Sequence, residues 1–295
     1  MTEPPAPTCA CAAGLDRRAF VGALLGVVAA ACAGPTGEGA ARRERDLLAQ
    51  GAAALGGQPT IDLHAHPGAF TRASVVGLPL SALEEMAAGG VDTAFFCAVG
   101  DGPVIRREAG GIRQVREPRA GELWRSTLGQ LERVRARAAQ DRLRLVLGPA
   151  DVAAARGAGR PGALLAVEGG DPLEGDPARV RALFDLGVRS IQLVHYRINE
   201  LGDIQTEPPR HGGLTGAGAA VLAELNRLGM VVDGAHAARA TLLGILGAAR
   251  APIVVSHTGP AALRRSRRHL DDELLRAVAA GGGVIGVWPM TTSTE

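Results

Sequence analysis

Residues 60–68 read Thr-Ile-Asp-Leu-His-Ala-His-Pro-Gly, an apolar run that ends in two histidines before a proline. The run predicts a β-strand over residues 60–66, and side chains two residues apart on a strand point to the same face. His64 and His66 are therefore expected side by side at the end of the strand, where two imidazoles can hold one metal ion. A single His-X-His sequence more often marks two ordinary polar residues, so the rest of the chain must decide between these interpretations.

From residue 60 onward, short apolar runs alternate with amphipathic stretches. This alternation is typical of βα units around a parallel sheet. Beyond the first strand, main strands are predicted at 91–99, 163–170, 188–195, 230–236, 252–257 and 283–288, with a short strand at 143–147. Helices are predicted at 80–86, 123–140, 178–186, 216–228, 238–250 and 271–280, a long exposed loop at 101–120 and a long polar loop at 197–215.

Seven main strands predict an α/β fold of the (β/α)8 TIM-barrel type that stops after its seventh strand. In such a barrel the C-terminal strand ends form one rim, so residues far apart in sequence meet there. Five of the predicted strand ends carry a histidine or a glutamate, namely His64, His66, Glu168, His195, His236 and His257. Because one histidine alone has little meaning but five strand ends in register do, the sequence predicts a metal site at this rim.

The segments that carry these residues resemble the membrane (renal) dipeptidases, zinc metallopeptidases of the amidohydrolase-like barrel superfamily. They follow the order of that family and cover residues 60–288. The main ones read Asp62-Leu63-His64-Ala65-His66, Val167-Glu168-Gly169-Gly170, Gln192-Leu193-Val194-His195, Asp233-Gly234-Ala235-His236, Ser256-His257-Thr258 and Arg268-His269-Leu270-Asp271. The resemblance implies a binuclear site with two Zn²⁺ ions, in which Glu168 bridges both metals and the other ligands are His64, His66, His236 and His257.

The resemblance also implies how a dipeptide would be cleaved. His195 would contact the scissile carbonyl and stabilise the developing oxyanion, and Glu168 would hold the two metals. Metals about 3.5–4 Å apart can share a hydroxide whose pKa is pulled toward neutrality, and this metal-bridging hydroxide would attack the carbonyl. Arg268 would bind the C-terminal carboxylate of the dipeptide in two-pronged fashion. The alternative for Arg268 is a surface arginine in the basic run 264–268.

Two departures from the family bear on these expectations. The family usually has Asp where His66 stands, and it continues to an eighth strand with an Asp near the metals, whereas this sequence ends at Glu295. We therefore expect a barrel that is incomplete at its C-terminus. Two other functions stay open: a metal-dependent hydrolase of a different amide, a lactone or an ester, and a non-catalytic, truncated surface-binding relative.

Residues 1–32 are predicted to be an export signal and not part of the fold. Arg17 and Arg18 precede a short apolar run, as in twin-arginine signals, and the run ends at Cys32, as in lipoprotein cleavage sites. Residues 33–58 are predicted to form a flexible tether with a short helix, and residues 59–295 the metallohydrolase barrel. A lipidated Cys32 would attach the exported protein to the outer side of the cytoplasmic membrane; a cleaved signal would leave it periplasmic.

Composition narrows the remaining possibilities. The formal net charge is +2 and aromatic residues make up 3% of the chain, so nothing indicates a nucleic-acid partner. Cys97 is the one cysteine outside the N-terminal segment, which predicts a buried thiol and no disulfide framework. His211 and His269 are expected to be exposed. The resemblance leaves open a homodimer, a state in which relatives often occur.

Overall fold

The computed structural model describes residues 38–55, 57–66 and 80–288. The chain divides into two compact units, Met1–Gln58 and Pro59–Glu295. In the first unit, helix α1 spans Glu38–Leu55, where the sequence predicts a short helix. The predicted export signal and Cys32 lie outside the described residues. No helix in the described part of the chain is long and apolar enough to cross a bilayer.

The second unit alternates strands with helices. Its strands are β1 (Ile61–Ala65), β2 (Thr93–Val99), β3 (Ile105–Glu108), β4 (Gly111–Gln114), β5 (Arg144–Leu145), β6 (Gly162–Glu168), β7 (Val188–Gln192), β8 (Val231–Asp233), β9 (Val254–Thr258) and β10 (Val284–Val287). Its helices are α2 (Leu80–Ala88), α3 (Glu122–Ala139), α4 (Pro149–Gly157), α5 (Ala178–Asp185), α6 (Gly216–Leu228), α7 (Arg239–Ala248) and α8 (Asp272–Ala280). Helix α4 was not predicted from the sequence.

Seven parallel strands form the main sheet in the order β1-β2-β6-β7-β8-β9-β10, and β5 adds a short ladder to β6. The sheet curves until its two sides approach, since the rings of His64 on β1 and His257 on β9 lie 3.9 Å apart. Within residues 57–66 and 80–288, β1 and β10 form no ladder with each other. The predicted TIM-type barrel, incomplete after its seventh strand, is therefore confirmed.

Strand β6 is an inner strand of the sheet, between β2 and β7, and six of its seven residues are buried. Such a strand is covered on both faces, which explains its almost continuous apolar sequence Gly-Ala-Leu-Leu-Ala-Val before Glu168. Helix α3 buries one face through Leu123, Thr127 and Leu131, which lie four residues apart, and exposes Arg125, Arg133 and Arg135. The core thus packs a parallel sheet against surrounding helices and leaves the strand ends to carry polar groups.

Specific polar residues fix where several helices begin. The Thr215 hydroxyl accepts a hydrogen bond from the Gly218 amide at the start of α6, and the Asp271 carboxylate accepts one from the Leu274 amide at the start of α8. Each satisfies one of the amides that a helix N-terminus leaves without an intrahelical partner. Helix α6 ends at Gly229, whose φ of 65° is the left-handed conformation that glycine adopts without strain.

The predicted loop over residues 101–120 is largely exposed from residue 105 onward, as expected, but its start is buried and much of it is regular structure. Asp101 is fully buried, a 3₁₀ turn covers Gly102–Val104, and β3 and β4 form a two-stranded antiparallel sheet. The polar loop 197–215 also begins in the interior, where Asn199 and Asp203 are buried. Burial is tolerated because these side chains form hydrogen bonds within the fold, which offsets the cost of removing them from water.

The prediction that His269 is exposed is wrong. Its side chain is buried, and its Nδ1 lies 2.7 Å from the carbonyl oxygen of Arg264. The ring packs over Gly259, where a Cβ would come within 2.7 Å of Nε2. The segment after β9 therefore folds back on itself and encloses His269. His211, by contrast, is exposed as predicted.

We predict that Gly100→Ala lowers the free energy of unfolding by about 1–3 kcal/mol, the usual cost of overpacking. A Cβ at Gly100 would overlap the carbonyl oxygen of Gly169, which belongs to the rigid segment after β6. Gly148→Ala is the control, because a Cβ there meets nothing within 4 Å. Urea unfolding followed by circular dichroism measures both. Equal unfolding midpoints for the two variants would contradict the close approach.

Candidate metal centre

The predicted metal-site residues meet around one carboxylate, that of Glu168 at the end of β6. Five imidazole Nε2 atoms lie within hydrogen-bonding or ion-pair distance of its oxygens: His66 at 3.0 Å, His64 and His195 at 3.2 Å, and His236 and His257 at 3.5 Å. All five histidines come from the C-terminal ends of strands or from the segments directly after them. The structure thus brings together all six residues of the predicted rim cluster.

The donor atoms fall into two groups that share Glu168. One contains His64 and His66 and the other His236 and His257, and within each group the ligand atoms lie within 4.8 Å of one another. In both groups the two imidazole Nε2 atoms face each other at 2.9 Å. Two imidazole nitrogens and a carboxylate oxygen are donors that Zn²⁺ prefers, so the residues fit a cation in each group.

The outer nitrogens of the imidazoles are held by neighbouring groups. His66 Nδ1 lies 2.9 Å from the carbonyl oxygen of Cys97, and His257 Nδ1 lies 2.9 Å from the Ser256 hydroxyl. A carbonyl oxygen accepts only, so His66 donates from Nδ1, and Nε2 is the nitrogen directed at the cluster. His236 Nδ1 is buried and has no hydrogen-bond partner among the described residues.

Cys97 lies next to the cluster, with its Sγ 3.4 Å from His64 Nδ1. The predicted thiol is partly buried, and burial together with the nearby Glu168 raises its pKa well above the usual range. The side chain therefore stays a neutral thiol near neutral pH. A low-pKa, reactive cysteine is not what this environment produces.

Two aspartates shape the strand ends that carry the ligands. The Asp62 carboxylate accepts a hydrogen bond from the His64 amide, and Asp233 Oδ1 accepts from the amides of Ala235 and Ser256. The turn after β8 leaves His236 with a φ of 64°, a left-handed conformation that costs a non-glycine residue about 1–3 kcal/mol. The fold maintains this strained backbone at a residue whose ring points into the cluster.

The residues of the cluster differ in how their surroundings shift their pKa values. Burial disfavours the charged form of Glu168, but the positive potential of His195, His66 and His64 outweighs it and holds the pKa of this carboxyl well below its usual range. Burial, together with Arg268, lowers the pKa of His236 well below the ordinary value, and burial with His64 does the same for His257. These two imidazoles are therefore neutral, the form that binds metals.

His195 differs from the other histidines. Burial alone would lower its pKa, but the carboxylates of Asp101 and Glu168 outweigh burial and raise the pKa to about 10. The ring lies between the two, with Nδ1 2.7 Å from Asp101 Oδ1 and Nε2 3.2 Å from Glu168 Oε1. Both nitrogens therefore face an acceptor, an arrangement suited to donating a proton or a hydrogen bond from Nε2.

Arg268 is buried beside the cluster, so the alternative of a surface arginine is wrong. Its side chain is 1% exposed, and its guanidinium carbon lies 5.8 Å from the centre of the Tyr196 ring and 5.4 Å from that of Trp288. Its Nε donates to Gln205 Oε1 at 3.2 Å. Arg264, Arg265 and Arg267 of the same basic run are exposed. The chain thus directs one arginine of the run inward, next to the cluster of histidines around Glu168.

Sequence reasoning missed a second buried polar group, formed by Asp101, Asp171, Arg197 and Asn199. Asp171 Oδ1 accepts from Arg197 Nη1 at 3.1 Å, and its Oδ2 accepts from Asn199 Nδ2 at 3.2 Å. Burial and the nearby Asp101 raise the pKa of Asp171 to about 7 in spite of Arg197. The only signal in the sequence is position, since Asp101 and Asp171 each follow a strand end within three residues.

Fold and donor cluster together define a barrel protein whose rim carries two candidate metal-binding groups. The family model for membrane dipeptidase (Peptidase family M19) matches residues 58–293. The chain therefore belongs to this family, as the resemblance of its motifs indicates.

Curated relatives match a part of their length. Dipeptidase aclJ of Aspergillus oryzae is 38% identical over 140 residues, which are 46% of this chain and 33% of that protein. Dipeptidase verJ of Clonostachys rogersoniana is 36% identical over 145 residues, which are 49% of this chain and 37% of that protein. The matched region thus spans about a third of the length of these relatives.

Solved structures with the same fold include three bacterial proteins. The probable dipeptidase PvdM of Pseudomonas aeruginosa has a TM-score of 0.67 at 19% identity, with 82% of this chain and 63% of that chain covered. An amidohydrolase of the same organism has a TM-score of 0.63 at 22% identity, covering 80% and 64%. A metallo peptidase of Rhodobacter sphaeroides, liganded with a phosphinate mimic of L-Ala-D-Ala, has a TM-score of 0.62 at 21% identity, covering 78% and 73%. At these identities the similarity establishes the fold.

We predict that Asp171→Asn changes how stability depends on pH. The folded-state pKa of about 7 lies above the ordinary aspartate value of 3.8, so the unfolded chain gives up this proton at lower pH than the folded chain does. Stability from this group is therefore fully present below pH 3.8 and is lost as the pH rises toward 7. Urea unfolding of the metal-free chain should show that, between pH 3.8 and 7, the free energy of unfolding falls more steeply with pH for the wild type than for the variant. Parallel curves would contradict the raised pKa.

Proposed function

We propose that this chain is a zinc-dependent dipeptidase with a binuclear centre. The observation that carries the proposal is the pair of donor groups, each with two imidazoles, that share the carboxylate of Glu168. Membership of the membrane dipeptidase family supports the same reaction class. Since the chain matches only about a third of the length of the two curated dipeptidases, both the activity and the substrate class belong to this proposal.

Each donor group would hold one zinc ion. His64 and His66 would bind the first, His236 and His257 the second, and Glu168 would contribute one oxygen to each. Two zinc ions bound in this way supply Lewis acidity that polarises a carbonyl group and lowers the pKa of a shared water. An imidazole binds a metal in its neutral form, so a single carboxylate among four imidazole ligands would leave the positive charge of the metals largely uncompensated, which would strengthen both effects.

His195 is placed to act on the scissile carbonyl. Its Nε2 points into the cluster beside Glu168, and its pKa of about 10 keeps that nitrogen protonated near neutral pH. A protonated imidazole at this position donates a hydrogen bond to the carbonyl oxygen as negative charge develops on it. Preorganised donors of this kind contribute much of the stabilisation of a tetrahedral transition state.

Arg268 is placed to bind the free carboxylate of a dipeptide. The guanidinium is buried between the Tyr196 and Trp288 rings and next to the carbonyl oxygen of His257, at 3.5 Å. A planar guanidinium binds a carboxylate through two parallel hydrogen bonds. Because Arg268 neighbours a metal ligand, a carboxylate bound there would lie about one residue from the scissile bond, and this geometry would favour dipeptides over longer peptides.

A second candidate function follows from His66. The family usually has an aspartate at this position, but here an imidazole is fixed by the Cys97 carbonyl and removes one negative charge from the first donor group. A more electrophilic centre can serve another amide, a lactone or an ester. A non-catalytic surface-binding relative remains the third alternative, and it requires the same centre to bind metal without turnover.

We predict that the purified chain binds ~2 zinc ions, the content of a binuclear site, and hydrolyses dipeptides with free ends. Glu168→Gln should reduce zinc content and abolish turnover, because it weakens the one ligand that both groups share. The control is His211→Ala, which removes an exposed histidine outside the cluster and should change neither. Plasma mass spectrometry gives metal per chain, and a panel of L,L- and L,D-dipeptides gives turnover.

The same experiment separates the alternatives. Zinc binding with cleavage of lactones, esters or other amides, and without cleavage of dipeptides, would favour the second candidate. Zinc binding without any turnover would favour the non-catalytic relative. The metal centre itself would be contradicted if the wild-type protein and the His211→Ala control are both folded and neither binds zinc.

We predict that Arg268→Lys raises KM for dipeptides about 10–100-fold, since hydrogen bonds between charged groups contribute about 1.5–3 kcal/mol. Lysine keeps the charge but cannot form the two-pronged contact. Arg264→Lys makes the same replacement at an exposed position and should leave KM unchanged. Initial-rate measurements on a dipeptide and on its C-terminal amide complete the test. If KM rises by the same factor for the dipeptide and for its C-terminal amide, Arg268 does not bind the carboxylate.

A further inference from the structure

We propose that Asp101 is a positioning residue for His195: it fixes the imidazole so that a nitrogen, and not a carbon, faces the centre. The expected effect on kcat rests on the proposed function, whereas the orientation of the imidazole rests on geometry alone. Asp101 follows β2, on a segment that sequence analysis assigned to an exposed loop. It lies 94 positions before the histidine it contacts.

The Asp101 carboxylate uses both oxygens on two consecutive residues. Oδ1 lies 2.7 Å from His195 Nδ1, and Oδ2 accepts a hydrogen bond from the Tyr196 backbone amide at 3.0 Å. The carboxylate is fully buried, so water does not compete for these contacts. Asp101 therefore holds the backbone of the segment after β7 as well as the ring that this segment carries.

Asp101 is itself held in place from both sides along the chain. The Gly100 amide donates to the Glu168 carbonyl oxygen at 2.7 Å, and the Val104 amide donates to the Asp101 carbonyl oxygen at 2.9 Å. Gln130 of α3 bonds both backbone groups of Val99, at 2.9 Å and 3.0 Å. The carboxylate thus belongs to a segment fixed to β6 and to a helix, which is what a positioning residue requires.

The contacts of the His195 ring show what Asp101 adds. The Tyr196 and His236 rings pack edge-on against it, with centroids at 4.6 Å and 4.5 Å. Such packing confines the plane of the ring but accepts either of two orientations related by a half-turn about χ2. A half-turn exchanges Nδ1 with Cδ2 and Nε2 with Cε1. Because Asp101 Oδ1 requires a nitrogen, it selects the orientation in which Nε2 faces Glu168 Oε1 at 3.2 Å.

This selection bears on the transition state more than on substrate binding. In the proposed reaction His195 donates to the carbonyl oxygen as charge develops there, whereas Arg268 binds the carboxylate at the other end of the dipeptide. An interaction that strengthens in the transition state changes kcat and leaves KM largely unaffected. A ring turned the other way would present Cε1 to the substrate oxygen and lose that donor.

A second buried aspartate provides a matched control. Asp171 is likewise fully enclosed and also uses both carboxylate oxygens on neighbouring side chains, but its partners are Arg197 and Asn199. Asp171→Asn therefore replaces a buried carboxyl group in the same polar region without removing the acceptor of His195 Nδ1. Any effect that follows only from loss of a buried carboxyl group should appear in both variants.

The kinetic test compares Asp101→Ala, Asp101→Asn and Asp171→Asn in the zinc-loaded full chain. Outer-shell partners of histidines at metal centres typically contribute 10–100-fold, so kcat should fall by about that factor in Asp101→Ala, with KM and zinc content unchanged. Asp101→Asn retains one oxygen acceptor and should recover part of kcat. Asp171→Asn should retain native kcat. An equal loss of kcat in Asp101→Ala and Asp171→Asn would overturn the proposal.

The structural test needs no activity and separates this inference from the proposed function. Long-range ¹H–¹⁵N correlation spectra of the metal-free chain report which nitrogens of a histidine ring carry protons. His195 Nδ1 should show the shift of a protonated, hydrogen-bonded nitrogen in native protein and in Asp171→Asn. In Asp101→Asn and Asp101→Ala the His195 signals should move or broaden as both orientations become populated. Unchanged signals in both Asp101 variants would overturn the proposal even if the chain proves to be a dipeptidase.

Discussion

The burial of one carboxylate among five imidazoles is the constraint on which the rest of the site depends. An isolated charge in the interior is costly, and Glu168 is tolerated because His64, His66 and His195 lie within 3.2 Å of its oxygens. Those contacts require β1, β6 and β7 to end at the same level. A slip of one residue in β6 would direct Val167 into the cluster and turn Glu168 away.

The cluster could be predicted from the sequence because each of its side chains lies at or just after the end of a predicted strand. An apolar run that ends in histidine or glutamate is a local signal, and the topology of a parallel barrel brings all such ends to one rim. His195 shows that strand bounds need not be accurate for this to work. Strand β7 ends at Gln192, yet His195, three residues further along the chain, still reaches the site.

Asp101, Asp171 and Arg197 could not be predicted in the same way, because a buried polar residue and an exposed one look identical in sequence. What distinguishes them is a partner elsewhere in the chain, such as the His195 ring that Asp101 contacts across 94 positions. The same reason explains the errors at the start of the loop 101–120 and at His269. Local composition indicates polarity, whereas burial depends on hydrogen bonds that only the folded chain brings together.

The ligand cluster also bears on how the incomplete barrel holds together. Ile61 on β1 and Val284 and Val287 on β10 are large apolar side chains left 46%, 53% and 68% exposed at the two edges of the sheet. Across this opening the barrel is joined by side chains, since the ring of His64 stacks on that of His257 at 3.9 Å. A metal in each donor group would link β1 to β9 through Glu168. In the proposed function, the side chains that join β1 to β9 would therefore be the same ones that bind the metals.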